Sequence, residues 1–276
     1  MTLAAISIAV SIAALQGIGD LREQAIDELS RGTDDRIEAV LDSVDWRGRD
    51  AVVMAMERSR PPRIEMMLNI AMRHPEIAVR RTAIRSLGRV GPVGTCDSLL
   101  ALLGKGSDAV VLDAITGRDD CRKEAIAPFL DAEDQDSRRR ALMAYHHLDA
   151  SRARGVAGER LGDRAYSVRE AASGILRGTL ASVEVIENHL DRLDDVGKTT
   201  ALFALGKLPG TRSEHLLTQA LSSQWWPHRN AGAVGLGHMG SPKHLDSLTA
   251  RLGVEGHPIV RDALIRAISD LKRRTE

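Results

Sequence analysis

The chain has 276 residues, 43% apolar and 28% charged, and its 38 Lys plus Arg are balanced by 38 Asp plus Glu. That length and apolar content support a real core, while a zero net charge is unlike both a dedicated nucleic-acid binder and an acidic disordered tail. Aromatics are only 3% and cysteines only 2, which argues against aromatic-rich β-sandwiches, single-strand stacking platforms, cysteine-rich zinc sites and disulfide scaffolds.

The chain opens on an uncharged apolar run, Leu3 to Leu15. It is short for a membrane span but suits the hydrophobic region of a signal peptide, and Ser11-Ile12-Ala13 fits a small-residue cleavage site. No Lys or Arg precedes it, so a buried helix is the alternative. Residues 1–17 are therefore expected to be a signal peptide or an apolar N-terminal helix. The first reading places the protein in the periplasm or cell envelope, the second in the cytoplasm. No later stretch is apolar enough for a stable span.

Residues 18–276 repeat themselves. Three segments align without gaps: LGRVGPVGTCDSLLALL from Leu87, LGKLPGTRSEHLLTQAL from Leu205 and LGHMGSPKHLDSLTARL from Leu236. Each has Leu again at offsets 12 and 16, one face of a helix. The Gly after the first Leu suits a left-handed helix stop. Upstream, a basic residue is followed by small or apolar residues at offsets 3 and 7, as in Arg80, Ala83 and Leu87, or Arg169, Ala172 and Leu176. The same phase marks Arg22, Arg49, Arg138, Lys198, Arg229 and Arg261. The pattern predicts an all-α solenoid of about nine helix–turn–helix repeats of roughly 30 residues, with a degenerate repeat near 108–130. Ala and Gly at the inner positions let helices approach closely.

These units resemble HEAT-like repeats, and their short length is similar to the type named after phycobilisome bilin lyases. The resemblance covers about Asp20 to Arg274. It implies a right-handed superhelix whose second helices line a concave face. For most members it implies protein–protein scaffolding; the lyase members attach or detach pigments, and no pigment site beyond the repeat is matched. Deoxyhypusine hydroxylases use His-Glu dipeptides as iron ligands, and this chain has none. Alkylpurine glycosylases of this type use aromatics and a basic concave face, to which Trp225-Trp226 is the one likeness.

Several residues stand out. Arg80, Arg138, Arg169, Arg229 and Arg261 recur with the period, which reads as a structural ladder bonding turn carbonyls or acids such as Glu76, Asp136 and Asp163. An anion-binding stripe is the other reading. His215, His228, His238, His244 and His257 crowd the C-terminal third without metal-ligand spacing, so they read as ordinary solvated loop histidines, and His146-His147, on a first helix, is equally unremarkable. Cys96 and Cys121 begin the second helices of successive units and are candidates for a disulfide in an exported chain. Trp225, Trp226 and His228 open a first helix at Pro227; two adjacent Trp cannot both point inward, so one is a candidate partner contact. The expected function is a non-catalytic scaffold binding a protein or peptide, with no cofactor, metal or nucleic acid. An enzyme subunit of the bilin-lyase kind is the alternative, and nucleic-acid binding the third.

Overall fold

The computed structural model describes residues 31, 33–43, 46–103, 108–116, 118, 120–177 and 179–274; the run Leu3 to Leu15 and the first repeat anchor, Arg22, lie outside them. Among the described residues the regular structure is helical, and the chain divides into two compact units, Met1–Pro128 and Phe129–Glu276. The first unit holds α1 (Asp34–Ser43), α2 (Trp46–Ser59), α3 (Ile64–Ala71), α4 (Ile77–Val90), α5 (Thr95–Leu100), α6 (Asp108–Ile115) and α7 (Lys123–Ile126). The second holds α8 (Gln135–Leu148), α9 (Ala150–Arg160), α10 (Tyr166–Leu176), α11 (Ala181–Leu190) and α12 (Asp195–Leu205). It continues with α13 (Thr211–Ala220), α14 (Trp226–Met239), α15 (Leu245–Val254) and α16 (Pro258–Arg273).

The fold is the predicted all-α solenoid. In the first unit α4 lies between α2 and α6; in the second the first helices α8, α10, α12, α14 and α16 stack in sequence, with α9 against α8 and α10, α11 against α9 and α12, α13 against α12 and α14, and α15 against α16. Helices this short are marginal alone, so their stability comes from stacking. The residues at offsets 3 and 7 from each cation form the seam: Ala83, Leu87, Ala172, Leu176, Ala201, Leu205, Leu236 and Leu264 are all 0% exposed. Leu99, Leu217 and Leu248 close the core from the second helices. Each such Leu contributes about 1.5–3 kcal/mol of burial.

The Leu-Gly glycines are not left-handed helix stops. Gly88 and Gly237 lie inside α4 and α14, and Gly206 follows α12 at φ −61. Their role is close approach. A Cβ on Gly88 would sit 2.5 Å from the Ala114 carbonyl of α6, one on Gly206 2.7 Å from the Gly235 Cα of α14, and one on Gly237 2.8 Å from the Ala267 Cβ of α16. Left-handed backbone occurs instead at Gly94 (φ 97), which opens α5, and Gly240 (φ 73), which closes α14.

Candidate functional site

The five periodic arginines grip turns. Nη1 of Arg80 donates to the His74 and Pro75 carbonyls at 2.8 and 2.6 Å. Nη1 of Arg138 donates to Ala132 and Glu133, that of Arg169 to Asp163 and Arg164, and that of Arg229 to Ser223 and Gln224. Arg261 reaches Glu255 and Leu252. Each therefore closes the turn leading into its own helix. Two also clamp the next repeat: Arg138 forks onto Asp163 at 2.8 and 2.9 Å, and Arg229 onto Glu255 at 2.7 and 2.9 Å. Asp163 is one of the acids expected from the sequence; Glu255 is not among them, and Asp136 is not a partner of Arg138.

These carboxylates also cap their own turns, Asp163 accepting from the Ala165 N–H and Glu255 from the His257 N–H, both at 2.8 Å. The Arg229 bonds hold the Glu255 carboxyl down to about 2 against the opposing effect of burial. Burial works to raise the Asp163 carboxyl, and the Arg138 bonds and Ala165 N–H outweigh it, leaving it below its ordinary value. Arg169 has no such acid: its Nε is buried without a partner, and Asp194 instead caps α12 at the Gly197 N–H. In all five arginines Nη1 donates to protein carbonyls.

In the degenerate repeat the work passes to Arg118, which sequence reasoning overlooked. It forks onto Asp120 at 2.9 Å and donates to the Gly88, Gly91 and Pro92 carbonyls. Arg118 holds the Asp120 carboxyl down to about 2, and the Gly94 N–H donates to the same group. Cys96 at the start of α5 is disulfide-bonded to Cys121, just before α7, with Cα atoms 5.2 Å apart. The bond joins two repeats where α7 has only 4 residues to pack.

The tryptophans divide as their adjacency requires. Trp226 stacks on His257 of the following turn, ring centroids 4.2 Å apart, whereas Trp225 is 44% exposed. His228 is buried and structural: its ring nitrogens contact Ser223 Oγ at 3.1 Å and the Asp195 carbonyl at 2.9 Å. The described residues hold no group of three or more His, Cys, Asp or Glu placed to bind a metal. Nor does any described helix have the length and apolarity to cross a membrane.

A different surface carries the groove. Between α8 and α10 lies a hollow of about 640 Å³ walled by Met143, Ala171, Gly174 and Ile175, with Arg139, Glu170, His146, Ser167 and Arg177 around it. The spacing of Arg139, Met143 and His146, or of Glu170, Gly174 and Arg177, places each set on one helix face. His146 Nδ1 and Ser167 Oγ are buried and lack a hydrogen-bond partner among the described residues, so no nucleophile–base pair joins them. Burial, then the charges of Arg154 and His147, push the His146 imidazole below its ordinary value.

A second hollow of about 150 Å³ shares Arg177 and carries the groove on past Phe203, Lys207, Val234 and His238. Lys207 lies 3.1 Å from His238 Nδ1, and burial followed by the Lys207 and Arg274 charges keeps His238 below its ordinary value. A neutral His238 can accept a hydrogen bond from the Lys207 ammonium. The groove runs over first helices, whereas the family resemblance implies a binding face on second helices. A sequence signal was available: Met143, Phe203 and Val234 are apolar at the same outward position, five residues after each cation.

The Escherichia coli protein YibA, seen by X-ray crystallography, is 15% identical, with 93% of this chain and 98% of that one covered at a TM-score of 0.50. An engineered protein is 16% identical over 96% of this chain and 88% of its own, at 0.45. Human deoxyhypusine hydroxylase in complex with glycerol is 16% identical over 98% and 97%, at 0.37. No curated protein matches. The family model for HEAT repeats matches residues 33–117 and 183–269, more than half of the sequence. The chain belongs to the HEAT-repeat family.

Proposed function

We propose that the protein is a non-catalytic interaction scaffold that binds a protein or peptide along the first helices of its second unit. The observation that carries this reading is the groove over α8, α10, α12 and α14, where Met143 and Phe203 stand exposed at equivalent positions on either side of Gly174. Exposed apolar side chains gathered in one groove and rimmed by polar groups mark interaction surfaces. The reading extends to an oxidising compartment, supported by the Cys96–Cys121 bond and the signal-like run Leu3 to Leu15.

Selection of a displayed peptide library on the whole chain tests the function. Selected peptides should lose about tenfold or more in affinity for Phe203→Glu and Met143→Glu variants. Selected peptides that bind both variants as tightly as the parent chain overturn the assignment. Location is tested by intact mass of the protein from its native host, without and with reductant. Loss of the N-terminal run, with two hydrogens gained on reduction, supports export; a full-length mass with free thiols overturns it.

A further inference from the structure

The groove has two parallel rows. Met143, Gly174, Phe203 and Val234 form an apolar row across successive first helices, one position per repeat. Gly174 adds no side chain, so it leaves the depression between Met143 and Phe203. One turn further along, at the C-terminal ends of α10 and α12, stand Arg177 and Lys207, both exposed. Neither has a carboxylate partner among the described residues. His146 and His238 lie at the matching level of α8 and α14. The acid that lines the first hollow, Glu170, lies one turn before Gly174 on α10.

The repeat sets the spacing an occupant must match. Packed helices lie about 8–10 Å apart, so the C-terminal ends of α10 and α12, which carry Arg177 and Lys207, recur at about that spacing. A polyproline-II segment rises about 3.1 Å per residue with three residues per turn, a period of about 9 Å. Crossing the helices in that conformation, a chain would present every third side chain to the cationic row and the next position to the apolar row. An α-helix does not reproduce this match, because its turn advances about 5.4 Å.

Resting on the peptide-binding reading above, we propose that the groove takes a polyproline-II-like peptide of period three, with an acidic residue on the Arg177–Lys207 row and an apolar residue in the Met143–Phe203 row. Charge complementarity selects the acid, and the Gly174 depression receives the apolar side chain. A nucleic-acid backbone fits less well. The floor is apolar, Glu170 lines it, and the stack ends on α16, whose exposed Asp262 and half-buried Asp270 pair with Arg266 and Arg273.

The test uses the whole chain and three labelled peptides of about twelve residues: Leu-Glu-Pro triplets, Leu-Lys-Pro triplets, and a version with a Gly inserted after each triplet to break the period. Anisotropy titrations should show the first bound about tenfold or more tighter than the other two. Arg177→Glu and Lys207→Glu should each weaken it about tenfold, and Arg177→Glu should turn the preference toward the lysine peptide. Circular dichroism checks that these surface variants fold.

Failure of the acidic peptide to bind overturns the inference. Equal binding of the period-broken peptide, indifference to both charge reversals, or displacement by a duplex oligonucleotide also overturns it. Library peptides that respond to Phe203→Glu but carry no acid of period three sink this inference and leave the scaffold reading standing. Library peptides indifferent to Phe203→Glu sink the scaffold reading itself.

Discussion

Replacing Glu255 by Gln should destabilise the C-terminal end of the second unit by about 3 kcal/mol near neutral pH, and should remove a specific acid transition. Its side chain is 1% exposed and sits 2.7 and 2.9 Å from Arg229, 3.0 Å from Arg251 Nε and 2.8 Å from the His257 N–H. The fold lowers its carboxyl from 4.5 to about 2, chiefly through Arg229. At about 1.4 kcal/mol per pH unit, that difference corresponds to about 3 kcal/mol. Loss of one partner of a buried ion pair costs a similar amount, because Arg229 is left without its counter-charge. A carboxylate with a depressed pKa contributes stability above its unfolded value and loses it as the pH falls. The window therefore runs from 4.5 down to about 2. Trp226 reports the event locally, because it stacks on His257 beside the site. Its emission during urea unfolding, followed across that pH range, is the assay. The reasoning is refuted by a Glu255→Gln variant that unfolds at the parent midpoint, or that keeps the parent's pH dependence between those values.

Other consequences are equally direct. Reduction of Cys96–Cys121, which closes a loop of 25-residue separation, should cost about 3 kcal/mol and raise amide exchange in α6 and α7; unchanged protection would contradict the stapling role. Gly237→Ala places a Cβ 2.8 Å from Ala267 Cβ and should lower stability by about 1–3 kcal/mol in thermal melts. Gly155→Ala and Gly174→Ala meet nothing within 4 Å on helices α9 and α10, and each should gain about 0.5–1 kcal/mol in the same melts. Arg118→Ala should loosen the α4–α6 region, seen as faster amide exchange around Gly91, since three carbonyls and Asp120 lose their donor.

The ladder was legible because each repeat meets the same neighbour. A residue such as Arg138 recurs at one phase, so its structural role follows from the period alone. Its nearest expected acid in sequence, Asp136, proved not to be the partner, whereas Asp163, one repeat away, forks onto it. Arg118 escaped notice because it stands outside the periodic phase. Its role depends on where the chain passes after the shortened α6, which no spacing records. His228 adjoins the tryptophans and so reads as a contact residue in the sequence, but its two ring nitrogens are turned inward to Ser223 and Asp195.

Repetition in the chain was by itself enough to determine the helical solenoid, the buried seam and the recurrence of the arginines, because stacked units bury the same offsets again and again. The Leu-Gly pair illustrates what it left open. A glycine after a buried leucine is compatible with a helix stop and with a helix contact, and the two differ only in whether another helix lies against it. Tertiary packing decided for contact at Gly88, Gly206 and Gly237. It also decided where the groove lies, because a hollow is made by side chains of helices about one repeat apart, such as Met143 and Gly174, whose distance is set by packing and not by the chain between them.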